Sequence, residues 1–202
     1  MGDTLWQALE YLEQGGWIML PLAACSVAMW ILILERIRTY HGMVSGDISI
    51  EKVMRIIDGE NIELWSEGLR VQLVKAFQAD RSGYVDIDRK VLRKCAEKLR
   101  FDLKRYLPVI AVLASVAPLL GLLGTVLGMM ETFDVISVFG TGNAKAMAGG
   151  ISVALVTTQT GLLVAIPGLF LSGWLARRSK RLETRLDEIT SIIDRHLHQV
   201  AC

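Results

Sequence analysis

Three observations predict an all-α integral membrane protein: three long uncharged windows, small residues at three-and-four spacing inside two of them, and a lopsided distribution of basic residues. The windows are Gln14–Leu34, Tyr106–Met130 and Ala146–Ala176, each free of Asp, Glu, Lys and Arg. A hydrocarbon core of about 30 Å takes about 20 apolar residues as a helix, so each window is long enough to cross. The chain has 202 residues, 52% of them hydrophobic, which excludes a disordered polypeptide. The predicted fold has three transmembrane helices, the second and third extended into a helical cytoplasmic domain.

Taken in order, residues 1–16 place Leu5, Trp6, Leu9 and Leu12 on one side of a helix. That spacing predicts a short amphipathic helix on the outer membrane surface. The first span covers 17–34, with Trp17 and Trp30 as interfacial aromatics and "ERIR" at 35–38 as its stop. Residues 35–106 read as a helical domain: "IEKVMRIID" and "NIELWSEGLRVQLVKAFQAD" are amphipathic helices broken at "DGEN", and "RSGYVDID" is the next break. Asp86 or Asp88 would cap a third helix carrying Val91, Leu92, Cys95, Leu99, Leu103 and Tyr106 on one face. That face runs into the second span, 107–133, with Pro108 as a kink, so one helix from Asp88 to Phe133 would be about 69 Å long. A connection at 134–147 leads to the third span, 148–176. The uncharged run there covers 31 residues, about 46 Å of helix. The tail, 177–202, continues the periodicity with Leu182, Leu186, Ile189 and Ile193.

Orientation follows from charge. Glu35 to Tyr106 holds 15 of the 22 basic residues and Arg177–Cys202 six more, whereas 1–16 has none and 134–147 only Lys145. The positive-inside rule puts the N-terminus and the 134–147 loop outside and the middle domain and tail in the cytoplasm. No basic region precedes the first apolar run, so it is expected to act as an uncleaved signal. Trp6 breaks the myristoylation pattern.

Other classes of function find little support. A net charge of +1 gives no reason to expect nucleic acid. Cys25, Cys95 and Cys202 form neither a disulfide framework nor a metal cluster, and His196 and His198 point to different helix faces, so no metal or cofactor is expected. No nucleophile–base pair, P-loop or GxGxxG motif supports an enzyme.

The membrane constellations carry more. In the second span Ala114, Ala117, Gly121, Gly124 and Gly128 form one stripe; in the third, Ala154, Thr158, Gly161, Ala165, Gly168 and Ser172 form another. Such stripes let backbones approach closely in lipid, where little hydrophobic force drives helices together. Whether the neighbour belongs to the same chain or another is left open. The third span also carries Thr157, Thr158, Gln159 and Thr160 in succession, and an amide facing hydrocarbon lacks partners, so some of these side chains should meet a helix or water. Neither span holds an ionisable group at depth; Glu131 and Asp134 lie at the outer end. A proton path needs a titrating group at depth. If this chain conducts protons, a partner must bring that group.

The stretches "APLLGLLGTVLGMMETF" and "MAGGISVALVTTQTGLLVAIPG" resemble the two membrane signatures of the MotA/TolQ/ExbB proton-channel family, and most closely its ExbB-like branch. The resemblance implies a ring-forming subunit, five to a ring, of a proton-motive-force-driven motor in the bacterial inner membrane. It implies an ExbD-like single-span partner whose Asp carries the proton, a TonB-like protein beyond it, and protons as the coupling ion. By motif position Thr125 and Thr158 match pore threonines, Thr157, Gln159 and Glu131 join the expected proton path, and Pro118 and Pro167 match positions that bend the pore helices. Gly121, Gly124, Gly128 and Gly161 are expected to pack them. Relatives often carry Glu or Gln where this chain has Val153, which leaves three alternatives: proton entry differs, Glu131 compensates, or this member conducts poorly. The alternatives are a TolQ-like envelope-maintenance subunit, a MotA-like stator (disfavoured by the short cytoplasmic domain) and a non-conducting assembly scaffold.

Overall fold

The structure, a computed structural model, describes residues 15–57, 68–140 and 144–200, with the backbone alone at Val200. The expected surface helix at the N-terminus and the "DGEN" break fall outside those residues. Among the described residues every regular element is helical: a short 3₁₀ turn, Gly16–Ile18, then α1 (Met19–Ser45), α2 (Ile50–Ile57), α3 (Leu69–Asp80), α4 (Val85–Lys104), α5 (Leu107–Phe139) and α6 (Ala144–Val200). Stretches long and apolar enough to cross a membrane lie within Gly16–Ser45, Val85–Phe139 and Ala144–Gln199. The protein is thus an all-α membrane protein.

The chain divides into two compact units. One comprises Met1–Ile33 with Pro108–Gly173, the other Leu34–Leu107 with Trp174–Cys202. In the first unit the helices touch through few side chains, chiefly small ones. Ile110, Ala114, Ala117, Gly121, Gly124, Gly128 and Thr132 of α5 are buried, while Leu119, Leu122, Leu123 and Val126 between them are exposed. Exposed apolar side chains on that scale suit hydrocarbon rather than water.

The second unit has a conventional core. Val53, Ile56 and Ile57 of α2 meet α3, whose Leu73, Val74 and Phe77 are fully buried, and α3 packs in turn on α4. Leu92, Cys95, Leu99 and Leu103 of α4 and Leu182, Leu186, Ile189 and Ile193 of α6 are all buried, as their spacing predicts. Asp88 stabilises the start of α4 from inside its first turn: its Oδ1 accepts from the Ser82 backbone N–H at 2.7 Å and from the Ser82 hydroxyl at 2.9 Å. Gly83, at φ +83°, makes that return possible. Four ion pairs tie α4 to the α6 tail in antiparallel order. Asp194 takes Arg89 at 2.8 and 3.0 Å and Arg93 at 3.9 Å, Arg100 meets Asp187, and Lys104 lies 3.0 Å from Glu183.

Two boundaries differ from the sequence reading. The 134–147 connection is largely helical, because nothing in "DVISVF" interrupts α5 before Gly140, whose φ of +67° supplies a left-handed stop. The helix expected from Asp88 to Phe133 is broken at Arg105–Tyr106. Pro108 has no N–H for the Lys104 carbonyl and its ring collides with that oxygen, so a straight helix is disfavoured here. Tyr106 adopts φ +66°, a costly conformation for a bulky residue. Three side chains from other helices take the carbonyls this break frees. Arg36 Nη1 donates to Asp102 O at 2.9 Å, the Tyr40 hydroxyl to Leu103 O at 2.6 Å, and the Ser179 hydroxyl to the same oxygen at 3.3 Å. The Arg36 and Arg105 guanidiniums lie 5.3 and 4.7 Å from the Tyr106 ring centre.

Two outcomes are expected in unfolding experiments on the purified protein. Tyr40→Phe costs about 1 kcal/mol, and combining it with Ser179→Ala costs about 2–3 kcal/mol because a buried carbonyl then lacks any partner; a purely additive small effect contradicts the clamp. The Arg89 guanidinium bonded to Asp194, helped by Arg93, holds that carboxyl below the usual carboxylate range despite partial burial. The stabilisation from this depressed group is full above the ordinary carboxylate pKa and is lost as pH falls through the lowered folded value. Arg89→Gln should flatten that acid limb, read as Tm against pH.

Candidate functional site

The two small-residue stripes meet each other within one chain. A methyl group built on Gly121 would lie 3.0 Å from Thr157 O, one on Gly161 2.8 Å from Ala117 O, and one on Gly128 2.6 Å from Gly150 O. These neighbours are backbone atoms and cannot swing aside, so the glycines set how closely α5 and α6 approach. As residue numbers rise along α5, contacts fall along α6, from Gly161 opposite Ala117 to Gly150 opposite Gly128 and Thr132. The helices are antiparallel.

The seam selects Thr157, not Thr158, to continue the α6 stripe. Thr157 is fully buried, its side chain filling the notch left by Gly124. Its hydroxyl donates within its own helix, with Val153 O at 2.9 Å and Ala154 O at 3.0 Å. Thr157, expected on a proton path, lies within the α5–α6 seam and packs against Gly124.

The seam then decides where its neighbours point. Successive residues on a helix are turned by about 100°. On antiparallel helices packed face to face, a step of plus one turns both side chains toward the same rim. Thr125 follows Gly124 and Thr158 follows Thr157, so the two hydroxyls share one rim. Glu131 precedes buried Thr132, and Val153 precedes buried Ala154, so both fall on the opposite rim. Consistently, Glu131, Gly149, Ser152 and Val153 line one groove of about 440 Å³. Gln159, two residues past the seam, is exposed and belongs to neither rim. The five residues expected on one path are therefore split four ways.

Helix α1 covers only the Glu131 rim. Cys25 Sγ donates to the carbonyl of Leu113 at 3.4 Å, and Leu113 precedes buried Ala114. A methyl on Gly16 would touch Val153 at 3.7 Å, and Met29 packs against Gly168 and Ala114. Among the described residues nothing covers the hydroxyl rim. It carries Ser115, Pro118, Leu122 and Thr125 from α5 and Leu155, Thr158 and Leu162 from α6, with no charge. The sequence motifs do not single out Ser115; its position one residue after the stripe is the signal that places it here.

The hydroxyl protons on this rim are engaged. Thr125 Oγ1 donates to Leu122 O at 2.6 Å, Thr158 Oγ1 to Ala154 O at 3.0 Å with Gly121 O across the seam at 3.4 Å, and Ser115 Oγ to Ala111 O at 2.9 Å. What each offers outward is an acceptor lone pair. Both α5 and α6 remain helical through Pro118 and Pro167, each of which withholds one backbone hydrogen bond.

Residues 64–188 match the MotA/TolQ/ExbB proton channel family. The chain is 40% identical over 104 residues to the putative biopolymer transport protein ExbB-like 2 of Helicobacter pylori (strain J99), covering 51% of this chain and 69% of that protein. Over 204 residues it is 27% identical to the biopolymer transport protein exbB1 of Vibrio cholerae, covering 91% of this chain and 87% of the relative. It is 26% identical over 216 residues to the Tol-Pal system protein TolQ of Pseudomonas aeruginosa, covering 90% and 88%.

The seam is testable by exchange. Gly124→Ala should overpack against Thr157 and destabilise by about 1–3 kcal/mol. Adding Thr157→Gly moves the notch to the other helix and should recover most of that loss, so Tm values that simply add would rule the notch out.

Proposed function

This chain belongs to the MotA/TolQ/ExbB proton channel family, and from that premise we propose that it is an ExbB-like ring subunit of an inner-membrane motor. Its hydroxyl rim receives the single transmembrane helix of an ExbD-like partner, and the titrating carboxyl arrives on that helix. Several copies, five in the expected ring, surround it. The energised complex acts through a TonB-like protein on outer-membrane transport. The N-terminus lies in the periplasm and the charged unit in the cytoplasm, as the basic residues direct.

The observation that carries this reading is the pairing of Thr125 and Thr158 on a rim that is uncharged and left bare by α1. An ionised carboxylate at bilayer depth is costly. A neutral carboxylic acid can donate its proton to a hydroxyl oxygen that is already donating elsewhere. The rim therefore favours the protonated acid, and release requires the carboxyl to leave it or water to reach it. The transmembrane potential supplies about 2.3 kcal/mol per charge for each 100 mV, enough to bias such a cycle with each proton. A TolQ-like envelope-maintenance role is the second reading, because TolQ relatives match the chain over as much of its length and at nearly the same identity as the exbB1 relative.

The test is proton flux through the complex co-reconstituted with its single-span partner. Thr158→Val should lower flux about tenfold, the value of one lost hydrogen bond of about 1.4 kcal/mol, with assembly unchanged. Glu131→Gln, on the other rim, should change it less than about twofold on the same scale. The reverse pattern would move the path to the Glu131 groove. No flux in the unsubstituted complex would favour a scaffold.

A further inference from the structure

Gln159 has no place on either rim. Two residues past Thr157, it is turned about 200° from the seam and points away from α5. Its neighbours on that face, one turn to either side, are Leu155, Leu162 and Leu163, with Ile166 a turn further; all are exposed. Among the described residues the amide has no hydrogen-bond partner. It stands two residues from the midpoint of the uncharged run Ala146–Ala176, about 3 Å along the helix axis. Half the hydrocarbon core is about 15 Å thick, so a glutamine side chain is too short to reach either surface. An amide in hydrocarbon loses the hydrogen bonds that water gives it. Another helix must supply them.

Sidedness and depth select that helix. In the proposed ring, on which this inference rests, the hydroxyl rims face the central helix and the α1 rims face outward. The two flanks of each copy are then the back of α6 and the back of α5. A ring closes by joining unlike flanks, so the back of α6 meets α5 of the next copy. Copies around an axis normal to the membrane stand at one depth, and the seam therefore gives the level of each contact. Thr157 packs on Gly124, and Gly161 on Ala117 and Gly121, which puts Gln159 level with Gly121. Side chains tilt toward the N-terminus of their helix. For α6 that is the direction of rising α5 number, from Gly121 toward Thr125. Between Leu119 and Met129 the one polar side chain of α5 is Thr125. Its hydroxyl proton is held by Leu122 O, 2.6 Å away, and an oxygen with two lone pairs can accept from an amide N–H and still face the rim.

We infer that Gln159 is a contact between copies, its amide N–H donating to Thr125 Oγ1 of the next copy, with one such bond at each joint of the ring. The hydroxyl on the rim is thereby fixed from two chains, by its own Leu122 carbonyl and by the neighbour's glutamine. Nothing in this contact depends on proton conduction.

The test uses the full-length chain in bilayers with its single-span partner. Gln159→p-benzoylphenylalanine should fold normally, because the side chain it replaces is exposed. On irradiation the expected product is a covalent dimer whose adduct maps by mass spectrometry to α5 of the second copy, within Leu119–Met129. Gln159→Leu should speed subunit exchange between fluorescently labelled complexes about three- to tenfold, the value of one interhelical hydrogen bond. Thr125→Val should do the same, and the double variant should exceed neither, since both remove one bond. Lipid adducts alone, an adduct on the single-span partner, or effects that multiply in the double variant would overturn the contact and leave the ring standing. A chain that does not self-associate would overturn the ring and the contact together.

Discussion

The close approach of two backbones at Gly121 and Gly161 is the constraint on which the membrane unit depends. A bilayer provides little hydrophobic force between helices, so their contact rests on dispersion and on weak polar contacts that decay steeply with separation. Removing side chains along one line of each helix lets α5 and α6 meet at backbone distance. Once that line is fixed, every neighbouring residue has its direction assigned. Residues one step ahead face one rim, residues one step behind face the other, and α1 covers only the second. The proposed function thus follows from rotation about a helix axis: moving the seam one residue ahead on both helices would bury Thr125 and Thr158 together.

The break at Arg105–Tyr106 shows the same economy of polar groups at the edge of the apolar region. A proline near a helix start withholds one donor and displaces others, and water is scarce inside a packed unit. Carbonyls freed there must find partners within the protein. Arg36, Tyr40 and Ser179 supply them from two helices that are distant in sequence. One backbone irregularity thereby becomes a tie among three elements. The left-handed Tyr106 is held between two guanidiniums, so its strain is offset by contacts that a straight helix would not make.

Much of this was legible in the sequence. Uncharged windows gave the spans, and three-and-four spacing gave the stripes and the buried faces of α4 and the tail. The differences between that reading and the structure have a common physical origin. From Ala154 to Gly161 the stripe can pass through Thr157 or Thr158, since steps of three and four are both allowed on a 3.6-residue helix. Only the notch at Gly124, on another segment, decides between them. Glu131 was grouped with the threonines because depth can be read along a chain, whereas sidedness depends on a partner helix. Continuity across 105–106 looked sound because the apolar periodicity runs through Pro108 unbroken, and periodicity records which face is buried without recording whether the backbone bends.

The absence of an acid from the bare rim is itself a physical argument about division of labour. A carboxyl fixed in this chain would stand beside hydroxyls whose position is locked by the seam, and would change protonation without moving relative to them. A carboxyl on a separate helix can approach the lone pairs of Thr125 and Thr158 when neutral and leave when ionised, so its charge state and its position are coupled. Coupling of that kind is what converts a proton gradient into motion, since a potential does work only on a charge that is displaced. In the proposed motor the rim contributes by being rigid, uncharged and acceptor-rich, and each property traces to a residue class: glycine for the seam, threonine and serine for the lone pairs, leucine for the rest.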